Sequence, residues 1–150
     1  MQRSITHKKP IEKIFYILLF LVYESLSSIY LFLPPLFAVL FILFIKALKD
    51  EDMLSLAFIS LCLIIFEIDK GYVIFSSIIY FAFIYKFVMP KIVQNINCTS
   101  CINILYVITV YIGFFLFGAL ISSIFLTPMP DINYYIVYYI VIEFFIVSLL

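Results

Sequence analysis

The side chains in this sequence that could do chemistry are mostly carboxylates set in apolar surroundings. Glu24 stands inside the first long apolar stretch and is followed by Ser25, Ser27 and Ser28. A carboxylate there is costly unless it is paired or protonated. Glu24 therefore reads as a proton or ligand site, or as a contact between subunits; the plainer reading is a protonated acid bonded to its serines. Glu67 and Asp69 flank one apolar residue, with Lys70 and Gly71 beside them. They could form a paired-carboxylate site or a partner-binding corner. The plainer reading is a solvated turn in which Gly71 supplies unusual backbone angles. Glu143 lies in the last apolar stretch, four residues beyond Tyr139, a spacing that predicts a Tyr139–Glu143 hydrogen bond within one helix. Tyr134, Tyr135, Tyr138 and Tyr139 form a cluster suited to a membrane interface at its outer end.

Cys98-Thr99-Ser100-Cys101 has the spacing of a redox pair or of half a zinc site. Cys62 and His7 are the only other Cys or His, so no four-ligand site is evident and two ordinary reduced thiols are expected. The lone His7 lies in the N-terminal tail, which argues against a Ser-His-Asp set. Three glycines, Gly71, Gly113 and Gly118, cannot build a phosphate loop. The last two are five apart and read as ordinary helix packing. No catalytic residue, cofactor or metal is expected, and the chain reads as a non-enzyme.

The elements that carry these residues follow from composition. Hydrophobic residues make up 67% of the chain and charged residues 12%. Nine basic and nine acidic side chains cannot coat a water-soluble domain of 150 residues. In hydrocarbon only helices or closed barrels satisfy the backbone. The apolar runs are near-continuous and lack the alternation of a barrel strand, so the fold class is all-α, a polytopic membrane bundle. At about 20 residues per span, six transmembrane helices are expected near 14–33, 35–48, 53–66, 72–89, 102–126 and 134–150. Residues 1–13 form a basic tail and 14–150 a single helical domain. The first apolar run is too long for a cleavable signal and reads as a retained span.

Punctuation and charge set the topology. Pro34-Pro35 break the first span from the second. Lys49-Asp50-Glu51-Asp52 is a charged loop, residues 92–101 read as the longest polar loop, and Thr127-Pro128-Met129-Pro130-Asp131 reads as a stiff turn. With both termini in the cytoplasm, Arg3, Lys8, Lys9, Lys13, Lys46, Lys49, Lys86 and Lys91 fall inside and Lys70 alone outside. The second and third spans are short, so either they tilt little and thin the membrane locally or their outer ends sit below its surface, the latter being favoured.

Three stretches together resemble a known family: Glu24-Ser25-Leu26-Ser27-Ser28, Pro34-Pro35-Leu36-Phe37, and Phe66-Glu67-Ile68-Asp69-Lys70-Gly71-Tyr72. Their order and the six-span layout are similar to MreD, the small membrane protein of the bacterial rod-shape complex. The resemblance covers residues 14–91 in ordered detail and only layout beyond. The chain departs from the family in lacking glycines over 53–66. Only Asp69 and Gly71 stand where the family has Asp near Pro-Leu-Gly. The resemblance implies a non-enzymatic scaffold in the bacterial cytoplasmic (inner) membrane. Its partners would be an MreC-like protein and, through it, MreB, RodA and a class B penicillin-binding transpeptidase. It also implies a six-helix fold like that of the substrate-binding subunits of vitamin transporters. On that view Glu24, Pro34, Pro35, Glu67, Asp69 and Gly71 shape the corner that meets a partner helix. The alternative function, from Glu24, Glu143 and the Tyr hydroxyls, is a small-molecule binding or transport subunit.

Overall fold

The computed structural model describes residues 9–128 and 133–149. Arg3, His7 and Lys8 of the basic tail and residues 129–131 of the proline turn lie outside the described residues. The described chain is helical, without a β-strand. Six helices follow one another: α1 (Lys9–Ile29), α2 (Phe37–Lys49), α3 (Met53–Lys70), α4 (Ser76–Asn95), α5 (Thr99–Phe125) and α6 (Tyr135–Leu149). Of these, α4 and α5 are long and apolar enough to cross a membrane.

α2 is the shortest and the most enclosed. It packs against α3, α5 and α6. At 13 residues it rises about 20 Å. Phe37, Ala38, Phe41 and Phe44 are buried along it. Phe37 stacks on Phe66 at 5.0 Å between ring centres and lies 4.9 Å from Phe81 and 4.7 Å from Phe114. One aromatic cluster thereby joins α2, α3, α4 and α5 through stacked and tilted ring contacts. The outward faces are apolar too: Ile11, Phe15, Leu18 and Val22 on α1, and Val137, Val141 and Phe145 on α6, are all exposed. A helix that is apolar both toward its neighbours and away from them suits a hydrocarbon solvent.

Several helix ends differ from the sequence expectation: α1 runs Lys9–Ile29 rather than 14–33, α3 continues to Lys70, α4 starts at Ser76, and the α4–α5 connection is shorter than expected. Pro90 does not end its helix. A π-helical turn over Ile84–Val88 precedes it and absorbs the lost N–H, so α4 runs on to Asn95. The polar loop expected over 92–101 is therefore mostly helix, because Cys98 caps α5 and only Ile96, Asn97 and Cys98 connect the two. α5 holds a second π turn at Thr109–Gly113, whose Thr109 carbonyl accepts from the Tyr80 hydroxyl at 2.7 Å. Gly113 is required there. A Cβ at that position would run into the Tyr80 hydroxyl, and Tyr80 is itself buried against Phe114 and Phe117.

Candidate functional site

The prolines leave a carbonyl-rich corner between α1 and α2, and hydroxyls close it. Tyr23 donates to the Pro34 carbonyl at 2.7 Å and Ser27 to the Leu33 carbonyl at 3.0 Å. Tyr139 reaches over from α6 and donates to the Leu31 carbonyl at 2.5 Å. Pro34 is buried and Pro35 half-buried. The chain then passes through Leu36 in the left-handed region (φ 53°), and α2 starts without a side-chain cap of its own.

Glu143 supplies the missing cap from α6. Its carboxyl, fully buried, accepts from the Phe37 N–H at 3.1 Å and the Ala38 N–H at 2.7 Å. The Tyr111 hydroxyl of α5 donates to the same group. This corrects the expected Tyr139–Glu143 pair. Tyr139 is spent on Leu31, while Glu143 turns inward, where the free N–H groups and positive end of α2 attract it more strongly than a neighbouring phenol.

The same device recurs at α4. Phe75 stands in the left-handed region (φ 70°) and provides no side-chain cap. Glu67, buried to 0% exposure near the end of α3, accepts from the Phe75 N–H at 2.7 Å, the Ser76 hydroxyl at 3.0 Å and the Ser77 N–H at 2.5 Å. The solvated-turn reading thus fails for Glu67, whose oxygens face helix N–H groups rather than water. Gly71 closes α3 in the left-handed region (φ 72°), with the Tyr72 N–H bonded to the Glu67 carbonyl at 2.9 Å. Asp69 and Lys70 are part-exposed and lie 3.6 Å apart, and Ser28 of α1 donates to Asp69.

Glu24 differs from both caps. It is 1% exposed, and neither carboxyl oxygen has a hydrogen-bond partner among the described residues. The serines expected to satisfy it are engaged elsewhere: Ser25 with the Leu21 carbonyl, Ser27 with Leu33 and Ser28 with Asp69.

All six residues marked by the sequence therefore fall at one end of the bundle. Glu24, Pro34 and Pro35 belong to the α1–α2 corner, and Glu67, Asp69 and Gly71 to the α3–α4 turn. The Ser28–Asp69 bond ties the two turns together. Sequence reasoning missed the contact of Glu143 with α2 and the role of Tyr111. The only signal for either was an acid in one apolar run and an uncapped helix start in another. Exposed apolar side chains rim this end, among them Ile29, Phe32, Ile68 and Ile74.

A cleft of about 580 Å³ runs from this corner between α1, α2 and α3. Ile17, Phe20, Leu40 and Phe58 form its walls, Tyr23 and Cys62 its inner end, and Lys46, Asp50, Asp52 and Ser55 its polar mouth. Asp52 also caps α3, accepting from the Ser55 N–H and hydroxyl. At the α4–α5 connection, Cys98 Sγ accepts from the Cys101 N–H at 3.3 Å, and both thiols are exposed and free. The Cys101 thiol beside Cys98 and the N–H aimed at its sulfur lower the Cys98 thiol below the usual thiol range. Among the described residues, no three His, Cys, Asp or Glu side chains converge as a metal set. No protein-family model, curated protein or solved structure matches this chain.

Proposed function

We propose that the chain is a six-span protein of a bacterial cytoplasmic membrane, with both termini in the cytoplasm, that acts as a non-enzymatic scaffold. In this reading it is an MreD-like component of the cell-elongation machinery. It holds an MreC-like partner and, through it, MreB, RodA and a class B penicillin-binding transpeptidase. Two helices of spanning length, the apolar outward faces and the charge asymmetry of the connections support the membrane part.

The observation that carries the scaffold reading is the corner. Two of its three buried acids, Glu67 and Glu143, are spent on holding backbone in place, which supports architecture rather than catalysis. Around them lies a rim of apolar side chains, with Ile29 72% and Phe32 69% exposed, beside a cleft left open between α1 and α2. Such a rim presents a rigid apolar surface to another helix. Substituting Ile68→Ser with Asp69→Ala alters the rim without touching either buried cap. Co-purification with the MreC-like partner should fall several-fold at equal expression, and unchanged co-purification would contradict the reading.

The cleft supports a second reading. Its volume and its apolar walls with a polar mouth are those of a small-molecule pocket, as in a transporter's binding subunit. Saturable binding of a small molecule, lost on filling the cleft with Leu40→Phe, would favour it.

A further inference from the structure

We infer that Glu24 is a proton-binding site: its side chain is held as a neutral carboxylic acid, and the proton is its ligand. Three glutamates are buried in this bundle. Two of them each receive three donors, with helix N–H groups among them. Glu24 receives none, at 1% exposure. An ionised carboxylate with neither water nor donors is the costliest group a protein interior can hold, and it escapes that cost by taking up a proton.

The groups around Glu24 point the same way. Tyr23 beside it on α1 gives its hydroxyl to Pro34. α3, packed against α1, carries Asp69 and Lys70, which lie 3.6 Å from each other, and the buried free thiol Cys62. From α6 comes Glu143, a like charge, with Tyr139 above it bonded to Leu31. On α2 the cations Lys46 and Lys49 stand at the opposite end of the helix. Among the described residues no cation is bonded to Glu24, and Lys70 is paired with Asp69. The hydroxyls that follow it on its own helix are engaged: Ser25 with the Leu21 carbonyl, Ser27 with Leu33 and Ser28 with Asp69. Ionising Glu24 would call those hydroxyls away, so the bound proton keeps the α1–α2 corner closed. The inference stands whichever partner or ligand the corner meets.

Infrared spectroscopy of the purified chain in lipid tests it without depending on reagent access. At neutral pH the native chain should show a carboxylic-acid C=O band that shifts on exchange into heavy water. The band should convert reversibly to carboxylate bands at alkaline pH. It should be missing in Glu24→Gln and retained in Glu67→Gln. If the amide variant does not assemble, Glu24→Asp, which keeps the acid and shifts the band, carries the assignment. A native spectrum with only carboxylate bands at neutral pH overturns the inference, as does an acid band that persists unshifted in both Glu24 variants.

Discussion

At the scale of single residues, Glu143 and Glu67 act as caps supplied from another helix. Removing Glu143 strands the Phe37 and Ala38 N–H groups and the Tyr111 hydroxyl away from water. Each buried unsatisfied group costs about 1–3 kcal/mol, and part of that is recovered by local relaxation. Glu143→Ala should therefore destabilise the bundle by roughly 3 kcal/mol in reversible unfolding. Tyr111→Phe should cost about 1 kcal/mol. A loss within experimental error for Glu143→Ala would mean that the N-terminus of α2 is satisfied in some other way. Whereas Glu67 read as part of a turn, Glu143 was visible in the sequence as a buried charge in need of partners. The partners were not: Glu143 meets Phe37 and Ala38 across more than a hundred residues of chain, whereas sequence spacing relates only groups on one helix.

At the scale of elements, the two π turns do different work in α4 and α5. One lets α4 continue through Pro90, and the other offers the Thr109 carbonyl to Tyr80 and brings Gly113 against the same ring. Gly113→Ala should cost about 1–3 kcal/mol, the usual penalty for overfilling a packed core. Tyr80→Phe should cost about 1 kcal/mol through the lost hydrogen bond. Because the added methyl meets the hydroxyl that Tyr80→Phe removes, the double variant should be little worse than Tyr80→Phe alone. Additive losses in thermal unfolding would contradict the packing described. Helix existence was legible here, since long apolar runs leave few alternatives. Helix ends were less so: a proline followed by Gln94, Asn95, Asn97, Thr99 and Ser100 reads as a loop by composition. The π turn that defeats this reading has no signature in residue type.

At the scale of the whole molecule, the account is one of sidedness. The acidic corner and its apolar rim lie at one end of the bundle, and the Lys46, Lys49 and Lys91 cations lie toward the other. Cys98 belongs to the cation end and reports on it. In sealed cells a membrane-impermeant maleimide should leave Cys98 unmodified, whereas inside-out vesicles should label it readily. Its lowered thiol pKa means a larger thiolate fraction at neutral pH. Alkylation should then outpace that of an ordinary thiol near pH 7, and the advantage should vanish once the pH exceeds the ordinary thiol range. Labelling from outside intact cells would reverse the proposed orientation. The all-helical class was legible in near-continuous apolar runs that lack the alternation of a barrel strand. The resemblance already grouped six residues at one corner; the fold added the bonds that build it, Ser28 to Asp69 and Glu143 to the start of α2.

The central claim is that this corner and cleft serve to hold partner proteins. It is tested most directly by recovering the tagged native chain from its own host in mild detergent, with mass spectrometry of proteins and small molecules alike. The account predicts an MreC-like protein or a penicillin-binding transpeptidase in near-stoichiometric amount. Recovery of transporter ATPase subunits or of a stoichiometric small molecule would contradict it and assign the cleft to ligand binding.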